Sequence, residues 1–197
     1  MEKFRELGLS ETTLEALAKK GFEEPTPIQK QTIPLLISGA RDIVGQAQTG
    51  TGKTAAFGLP LIELLDDNNK KVQSLILAPT RELAIQVAEE INSFRGGKKL
   101  FVLPVYGGQS YELQIRGLKR GTQIVVGTPG RIRDHIDKGT LDLSNVTHVV
   151  LDEADEMLNM GFQEEVEEIL KSVPQSRRML LFSATMPPEI LKLAKRY

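Results

Sequence analysis

The stretch Ile43-Val44-Gly45-Gln46-Ala47-Gln48-Thr49-Gly50-Thr51-Gly52-Lys53-Thr54 reads as a short apolar strand, a glycine-rich turn and the start of a helix. Glycines let successive backbone N–H groups converge on anionic oxygens, a helix N-terminus adds positive potential, and Lys53 supplies a point charge, so the loop has the chemistry of a phosphate cradle. Thr54 then stands where a hydroxyl ligates Mg²⁺. The pattern GxxxxGK[ST] fails at its first position, which is Ala47. The plainer alternative is a glycine-rich turn entering a helix. The preceding strand and the intact Gly52, Lys53 and Thr54 favour the cradle.

Outward from this loop, apolar runs recur at Leu75 to Ala78, Leu100 to Val105, Ile124 to Val126, Val149 to Leu151 and Met179 to Phe182, which with Ile43 to Val44 predicts six strands. Stretches of helical period lie between them, such as Leu83, Val87, Ala88, Ile91 and Val166, Ile169, Leu170. Alternating strands and helices imply a parallel sheet covered on both faces, an α/β doubly wound domain. Ahead of the first strand, Leu14, Leu17 and Ala18 share a helical face behind a Ser10 cap, and a second helix starts near Pro27. At the other end Ile190, Leu191, Ala194 and Tyr197 read as an amphipathic helix without a capping glycine or proline, so the chain is expected to be part of something longer.

Composition bounds the function. The chain has 197 residues, 40% hydrophobic and 26% charged, which excludes a disordered tail or a fibrous repeat. Its 25 basic and 26 acidic residues give a net charge of -1, so no long-range positive field draws in a polyanion and any nucleic-acid contact has to be local. Cysteine is absent, which removes disulfides, thiol nucleophiles and Cys-ligated zinc. No apolar run approaches the ~18 residues of a membrane span. A cytoplasmic location is the expectation.

In an open parallel sheet, ligands bind at the carboxyl ends of the strands. The second run is followed by Pro79, Thr80, Arg81, Glu82, the third by Gly107 and Gly108, the fourth by Thr128, Pro129, Gly130, Arg131, the fifth by Asp152, Glu153, Ala154, Asp155, and the sixth by Ser183, Ala184, Thr185. Asp152, ending a buried strand, can hold a metal through water, and Glu153 can orient or deprotonate an attacking water. Taken alone, the acidic run to Glu156 could merely complement a helix dipole. Joined to Lys53 and Thr54, it describes nucleoside-triphosphate hydrolysis.

Thr26, Pro27, Ile28, Gln29 fits a capping box with Thr26 at N-cap, and that structural account of Gln29 is sufficient by itself. Its amide can equally accept from N6 and donate to N7 of adenine, and the two roles can coexist. Arg81 and Arg131 fall in first turns of helices, where the dipole disfavours a cation and an anionic ligand such as a nucleic-acid phosphate would resolve the conflict. Singly, each reads as a solvated surface arginine. His135 and His148 lack a neighbouring serine nucleophile, and Met157 and Met160 read as core filling.

These residues together resemble the N-terminal RecA-like domain of DEAD-box RNA helicases, over nearly the whole chain. Gly21, Phe22 through Pro25, Thr26, Pro27, Ile28, Gln29 resembles the Q motif, with Phe4 as the upstream aromatic. Ala47 to Thr54 resembles motif I, which in that family begins with alanine. Pro79 to Ala84 resembles motif Ia, Gly107 and Gly108 the GG motif, Thr128 to Arg131 motif Ib, Asp152 to Asp155 motif II and Ser183 to Thr185 motif III.

The resemblance implies an N-terminal helical element over 1–36 carrying the Q motif and a RecA-like ATP-binding domain over 37–197. It implies ATP and Mg²⁺ as cofactors. Phe22, Thr26, Gln29, Gln48, Thr49, Gly50, Thr51, Gly52, Lys53 and Thr54 would bind nucleotide, with Thr54 and Asp152 on the metal. Lys53, Asp152 and Glu153 would be catalytic, and Asp155 would couple to Ser183 and Thr185. Arg81, Gly108, Thr128, Gly130 and Arg131 would touch the RNA backbone, with little sequence preference.

Members of that family carry a second RecA-like domain with arginine fingers, which can be worth roughly 10³ to 10⁵ in rate, so these 197 residues alone, as a monomer, are expected to bind nucleotide without unwinding RNA. A non-catalytic, ATP-gated RNA clamp is the alternative function. A DNA-directed helicase of the wider superfamily is disfavoured by the Q motif and the literal Asp-Glu-Ala-Asp.

Overall fold

A computed structural model describes residues 1–39 and 42–197. In chain order the elements are α1 (Glu2–Arg5), α2 (Glu11–Lys19), α3 (Pro27–Ile37), β1 (Ile43–Gln46), α4 (Lys53–Leu64), β2 (Ser74–Leu77), α5 (Arg81–Phe94), β3 (Val102–Val105), α6 (Tyr111–Arg120), β4 (Ile124–Gly127), α7 (Pro129–Asp137), β5 (His148–Leu151), α8 (Ala154–Asn159), α9 (Gln163–Lys171), β6 (Arg178–Ser183) and α10 (Pro188–Arg196). All six expected strands form, and every neighbouring pair is parallel in the order β1-β6-β5-β2-β4-β3. The fold is the RecA-like α/β doubly wound sheet.

The sheet explains why the runs are continuous rather than alternating. Leu75, Leu77, Val149 and Leu151 enter one core with Ile132, Val166 and Ile169, whereas Ile76, Val126, Val150 and Phe182 enter the other with Phe57, Val87 and Ile91. Side chains alternate between faces with period two, so helices on both faces require apolar residues at consecutive positions. Edge strand β3 is shorter than its apolar run, because Leu100 is buried outside the ladder and Phe101 contributes its carbonyl to the N–H groups of Gln123 and Ile124. Pro104 is tolerated there because an edge strand has an unpaired side.

Several helical faces differ from expectation. In α2 the buried set is Thr13, Leu14, Ala16 and Leu17, while Ala18 faces solvent. Ser10 holds the N-cap position, but its backbone N–H and hydroxyl both donate to Glu63 Oε1, at 3.0 and 2.8 Å, in place of a side-chain cap. In α10, Ile190 and Leu193 are buried and Leu191 is exposed. Met157 fills core, whereas Met160 lies on the surface. Among the described residues, no helix is long and apolar enough to cross a membrane.

Candidate active site

Strand order divides the carboxyl edge in two. The loops after β1, β6 and β5 hold the phosphate-cradle and acidic residues, and those after β2, β4 and β3 hold Arg81, Arg131 and the glycine pair. The halves meet where Asp152 N donates to Leu77 O at 2.9 Å.

On the first half, Gly50 and Gly52 take φ of +80° and +84°, and Gly52 is the left-handed N-cap of α4. A Cβ at Gly52 would collide with the amide of Gln29. That amide is buried: its Oε1 accepts from Thr26 N at 2.9 Å, and its Nε2 donates to Gly52 O at 3.1 Å. The capping box is thus formed from the Gln29 side, while Thr26 Oγ1 has no hydrogen-bond partner among the described residues. Gln29 fastens α3 to the glycine turn, a link its sequence context did not reveal. Beside it lies an open cleft of about 490 Å³ lined by Pro27, Ile28, Gln31, Gln46, Ala47, Gln48, Thr51 and Ala184. Phe22 packs elsewhere, edge-on between Phe4 and Phe94 with centroids 6.2 and 5.7 Å apart.

Lys53 opens α4 with its side chain 7% exposed, and its Nζ lies 3.4 Å from Asp152 Oδ1 and 3.9 Å from Glu153 Oε1. Asp152 is 2% exposed. Burial pushes its carboxyl above the ordinary value, against the pull of Lys53. Its Oδ1 makes no hydrogen bond and faces the Lys53 ammonium alone, so a metal ion or an ordered water could still complete its surroundings. Glu153 has φ 52° and ψ 52°, the one non-glycine residue with positive φ among those described, and its Oε1 accepts from Thr49 Oγ1 at 3.2 Å. Strain of this kind at a chemical group is characteristic of functional sites. Thr51 closes the loop by donating to Gln48 O at 2.6 Å. Thr54 follows Lys53 on the same first turn.

Asp155, Ser183 and Thr185 lie together. Asp155 N donates to Ser183 Oγ at 3.1 Å, and Asp155 Oδ2 accepts from Thr185 N and Oγ1 at 3.0 and 2.8 Å. Burial raises the Asp155 carboxyl, but the hydrogen bonds from Thr185 and Ser183 outweigh it and hold the group below its usual range. Ser183 O accepts from Ala47 N at 3.1 Å, so this cluster is wired to the loop after β1.

On the second half, Arg81 is exposed at the start of α5, its guanidinium carbon 5.2 Å from the Tyr106 ring centroid. A Cβ on Gly108 would lie 3.5 Å from Arg81 Nη1, so the glycine turn passes directly beside that guanidinium. Thr128 is the N-cap of α7, and Gly130 has open space on its Cβ side. Arg131 donates to Gln109 O and Gln114 Oε1 at 2.8 and 3.1 Å and stacks on Tyr111 at 4.0 Å. These carbonyl oxygens offset part of the dipole conflict there. Gln109, Tyr111, Gln114 and His135 were missed from sequence; the one available signal was the i, i+4 spacing of Arg131 and His135 on α7.

A strand entering a glycine turn and a helix that begins on lysine, faced by a strand ending in two acids, define a RecA-like domain of the P-loop class. The chain belongs to the DEAD/DEAH box helicase family, whose model matches residues 26–193. It is 58% identical over all 197 residues to the DEAD-box ATP-dependent RNA helicase CshA of Geobacillus kaustophilus, covering 42% of that protein. It is 55% identical over 195 residues to the ATP-dependent RNA helicase CshA of Limosilactobacillus reuteri, covering 99% of this chain and 39% of that one. The crystal structure of a DEAD box protein from the hyperthermophile Methanococcus jannaschii superposes with a TM-score of 0.96 at 57% identity, covering 99% of this chain and 53% of that one. The chain therefore spans less than half the length of these curated relatives.

Proposed function

We propose that this chain is the ATP- and RNA-binding N-terminal half of a DEAD-box RNA helicase, which in the complete protein couples ATP hydrolysis to local separation of RNA strands. The observation that carries this reading is the buried Asp152 carboxylate, whose Oδ1 makes no hydrogen bond and lies 3.4 Å from Lys53 Nζ.

The glycine turn from Gln48 to Gly52, with Lys53 and Thr54, cradles the phosphates through backbone N–H groups and one ammonium charge. Asp152 and the Thr54 hydroxyl fit Mg²⁺, which takes few protein ligands and keeps water and phosphate oxygens for the rest; bound there, it would neutralise developing phosphate charge. Glu153, already aimed across the loop at Thr49, orients the attacking water and accepts its proton. The cleft beside Ile28 and Gln31 accepts the nucleobase, and Gln29, next to Ile28 in the chain, reads adenine by giving up its bond to Gly52. Phe22 and Phe4 support the segment over 1–36 from behind, as a helical element laid on the ATP-binding domain over 37–197.

Arg81, Gly108, Thr128, Gly130 and Arg131 line the other half of the edge and contact the RNA backbone. Asp155, through Ser183 and Thr185, links the two events. The second domain, which the longer relatives have room for, would complete the site in a cytoplasmic protein.

Phosphate release by the complete protein with RNA, with DNA and with neither tests the reading. Stimulation by RNA alone is expected. Equal stimulation by DNA would contradict the RNA assignment, and ATP-dependent RNA retention without turnover would instead describe a clamp.

A further inference from the structure

Helices α6 and α7 enclose a polar chain that the nucleotide chemistry does not use. His135 has no exposed surface; its Nε2 lies 2.8 Å from Gln114 Oε1 and its Nδ1 2.7 Å from Thr140 Oγ1. Gln114 is equally buried and donates through Nε2 to Tyr106 O at 2.9 Å and Gln109 Oε1 at 3.0 Å. These two acceptors set the amide's orientation and leave Oε1 as an acceptor only. It is shared by His135 Nε2 and Arg131 Nη1, and Arg131 Nη1 also donates to Gln109 O at 2.8 Å.

The tautomer follows. Since Gln114 Oε1 can only accept, His135 Nε2 carries a hydrogen. The Thr140 hydroxyl lies within reach of both Nδ1 and His135 O, at 2.7 and 3.1 Å, and in a neutral ring its one hydrogen goes to Nδ1. Burial, with Arg131 and Lys138 nearby, lowers the ring's proton affinity and favours that neutral form, against a smaller opposing pull from Asp134. Were the Gln114 amide to turn over, its NH₂ would face the Arg131 guanidinium; the hydrogen on His135 Nε2 opposes that turn.

We infer that His135 is a positioning residue: through Gln114 it ties Arg131 to the Gly107–Gly108–Gln109 turn, so that the loops after β3 and β4 meet the RNA backbone as one rigid unit. The inference rests on the RNA-backbone reading of those loops given above. Arg131 then binds RNA from a preset pose, with little ordering left to do at contact. The tyrosine wall serves the same end, because the Tyr111 ring has Arg131 at 4.0 Å, Lys138 at 3.6 Å and the His135 ring at 5.2 Å.

The test uses the complete protein and two readouts, the RNA concentration giving half-maximal ATP hydrolysis and the KM for ATP. His135→Leu, which has no donor, and His135→Asn, whose amide is too short to reach Gln114 Oε1, are expected to raise RNA half-saturation by up to about tenfold, the scale of one lost hydrogen bond, with KM for ATP unchanged. His135→Gln, whose longer amide places a donor near the Nε2 position, is expected to recover to within about threefold. If His135→Leu fails to fold, the contrast between Asn and Gln decides. Unchanged RNA half-saturation in His135→Asn, or a parallel loss in KM for ATP, overturns the positioning role. Arg131→Ala separates the two levels: if it too leaves RNA binding unchanged, the RNA-backbone reading itself has failed and takes this inference with it.

Discussion

Thr185 donates twice to one oxygen of Asp155, from its backbone N–H at 3.0 Å and from its hydroxyl at 2.8 Å, and so fastens the loop after β6 to the acidic loop after β5. The pair joins the candidate hydrolysis site to an exposed turn. Thr185→Val keeps the N–H and removes the hydroxyl. It is expected to cost about 1 kcal/mol of stability at neutral pH and to raise the Asp155 carboxyl toward its ordinary value. The sign is fixed: a carboxyl held low in the fold stabilises above its unfolded value and loses that contribution as pH falls through the folded one. Proton titration of Asp155 by NMR checks the shift. Strand separation per ATP hydrolysed should fall in the same variant while ATP affinity holds.

Gly52 combines a left-handed backbone with a Cβ direction blocked by the Gln29 amide. Gly52→Ala should therefore destabilise by about 1–3 kcal/mol and abolish nucleotide binding. Thermal unfolding with and without ATP measures both; a variant still shifted upward by ATP would show that the turn tolerates side chains.

Glu153 is strained by its left-handed backbone and placed beside a second carboxylate. Glu153→Gly is expected to raise stability by about 1 kcal/mol while eliminating turnover, because the αL penalty and the repulsion of Asp152 both vanish. Denaturant unfolding gives the first quantity. A loss of stability would mean that the Thr49 contact and the Lys53 ammonium 3.9 Å away outweigh the strain.

Acid sensitivity should come in part from the far end of β5. Burial, then the Arg178 charge, lowers His148 to about 4, and its Nε2 has no hydrogen-bond partner among the described residues. Below the unfolded value of about 6.5 the unfolded chain binds a proton that the folded one refuses, so stability falls as pH drops from there toward about 4, by on the order of 3 kcal/mol. His148→Val, which suits a buried strand, should flatten unfolding free energy against pH in that window and leave ATP binding unchanged.

The strands were legible because consecutive apolar residues bounded by glycine, proline and polar turns have few other readings, and the carboxyl-edge rule then located the site. Asp155, Ser183 and Thr185 fall together because β5 and β6 are adjacent and β6 runs on past Leu181, the partner of Leu151, to Ser183 beside the acidic loop. Side-chain wiring was not legible. Gln29 to Gly52 depends on how α3 lies against α4, and Arg131 to Gln114 to His135 on α6 and α7 meeting across a strand that separates them in the chain. Single residues also defeat face assignment: Ala18 and Leu191 fit the helical period yet lie at the margin of their buried stripes, where a small rotation of the helix exposes them.

The most direct measurement is phosphate release by the complete protein carrying Glu153→Gln, with ATP affinity determined on the same sample. If Lys53, Asp152 and Glu153 form the hydrolytic centre of an RNA-driven motor, the unsubstituted protein shows RNA-stimulated release, and Glu153→Gln abolishes it while binding ATP as tightly. RNA-stimulated release that survives Glu153→Gln would contradict that assignment.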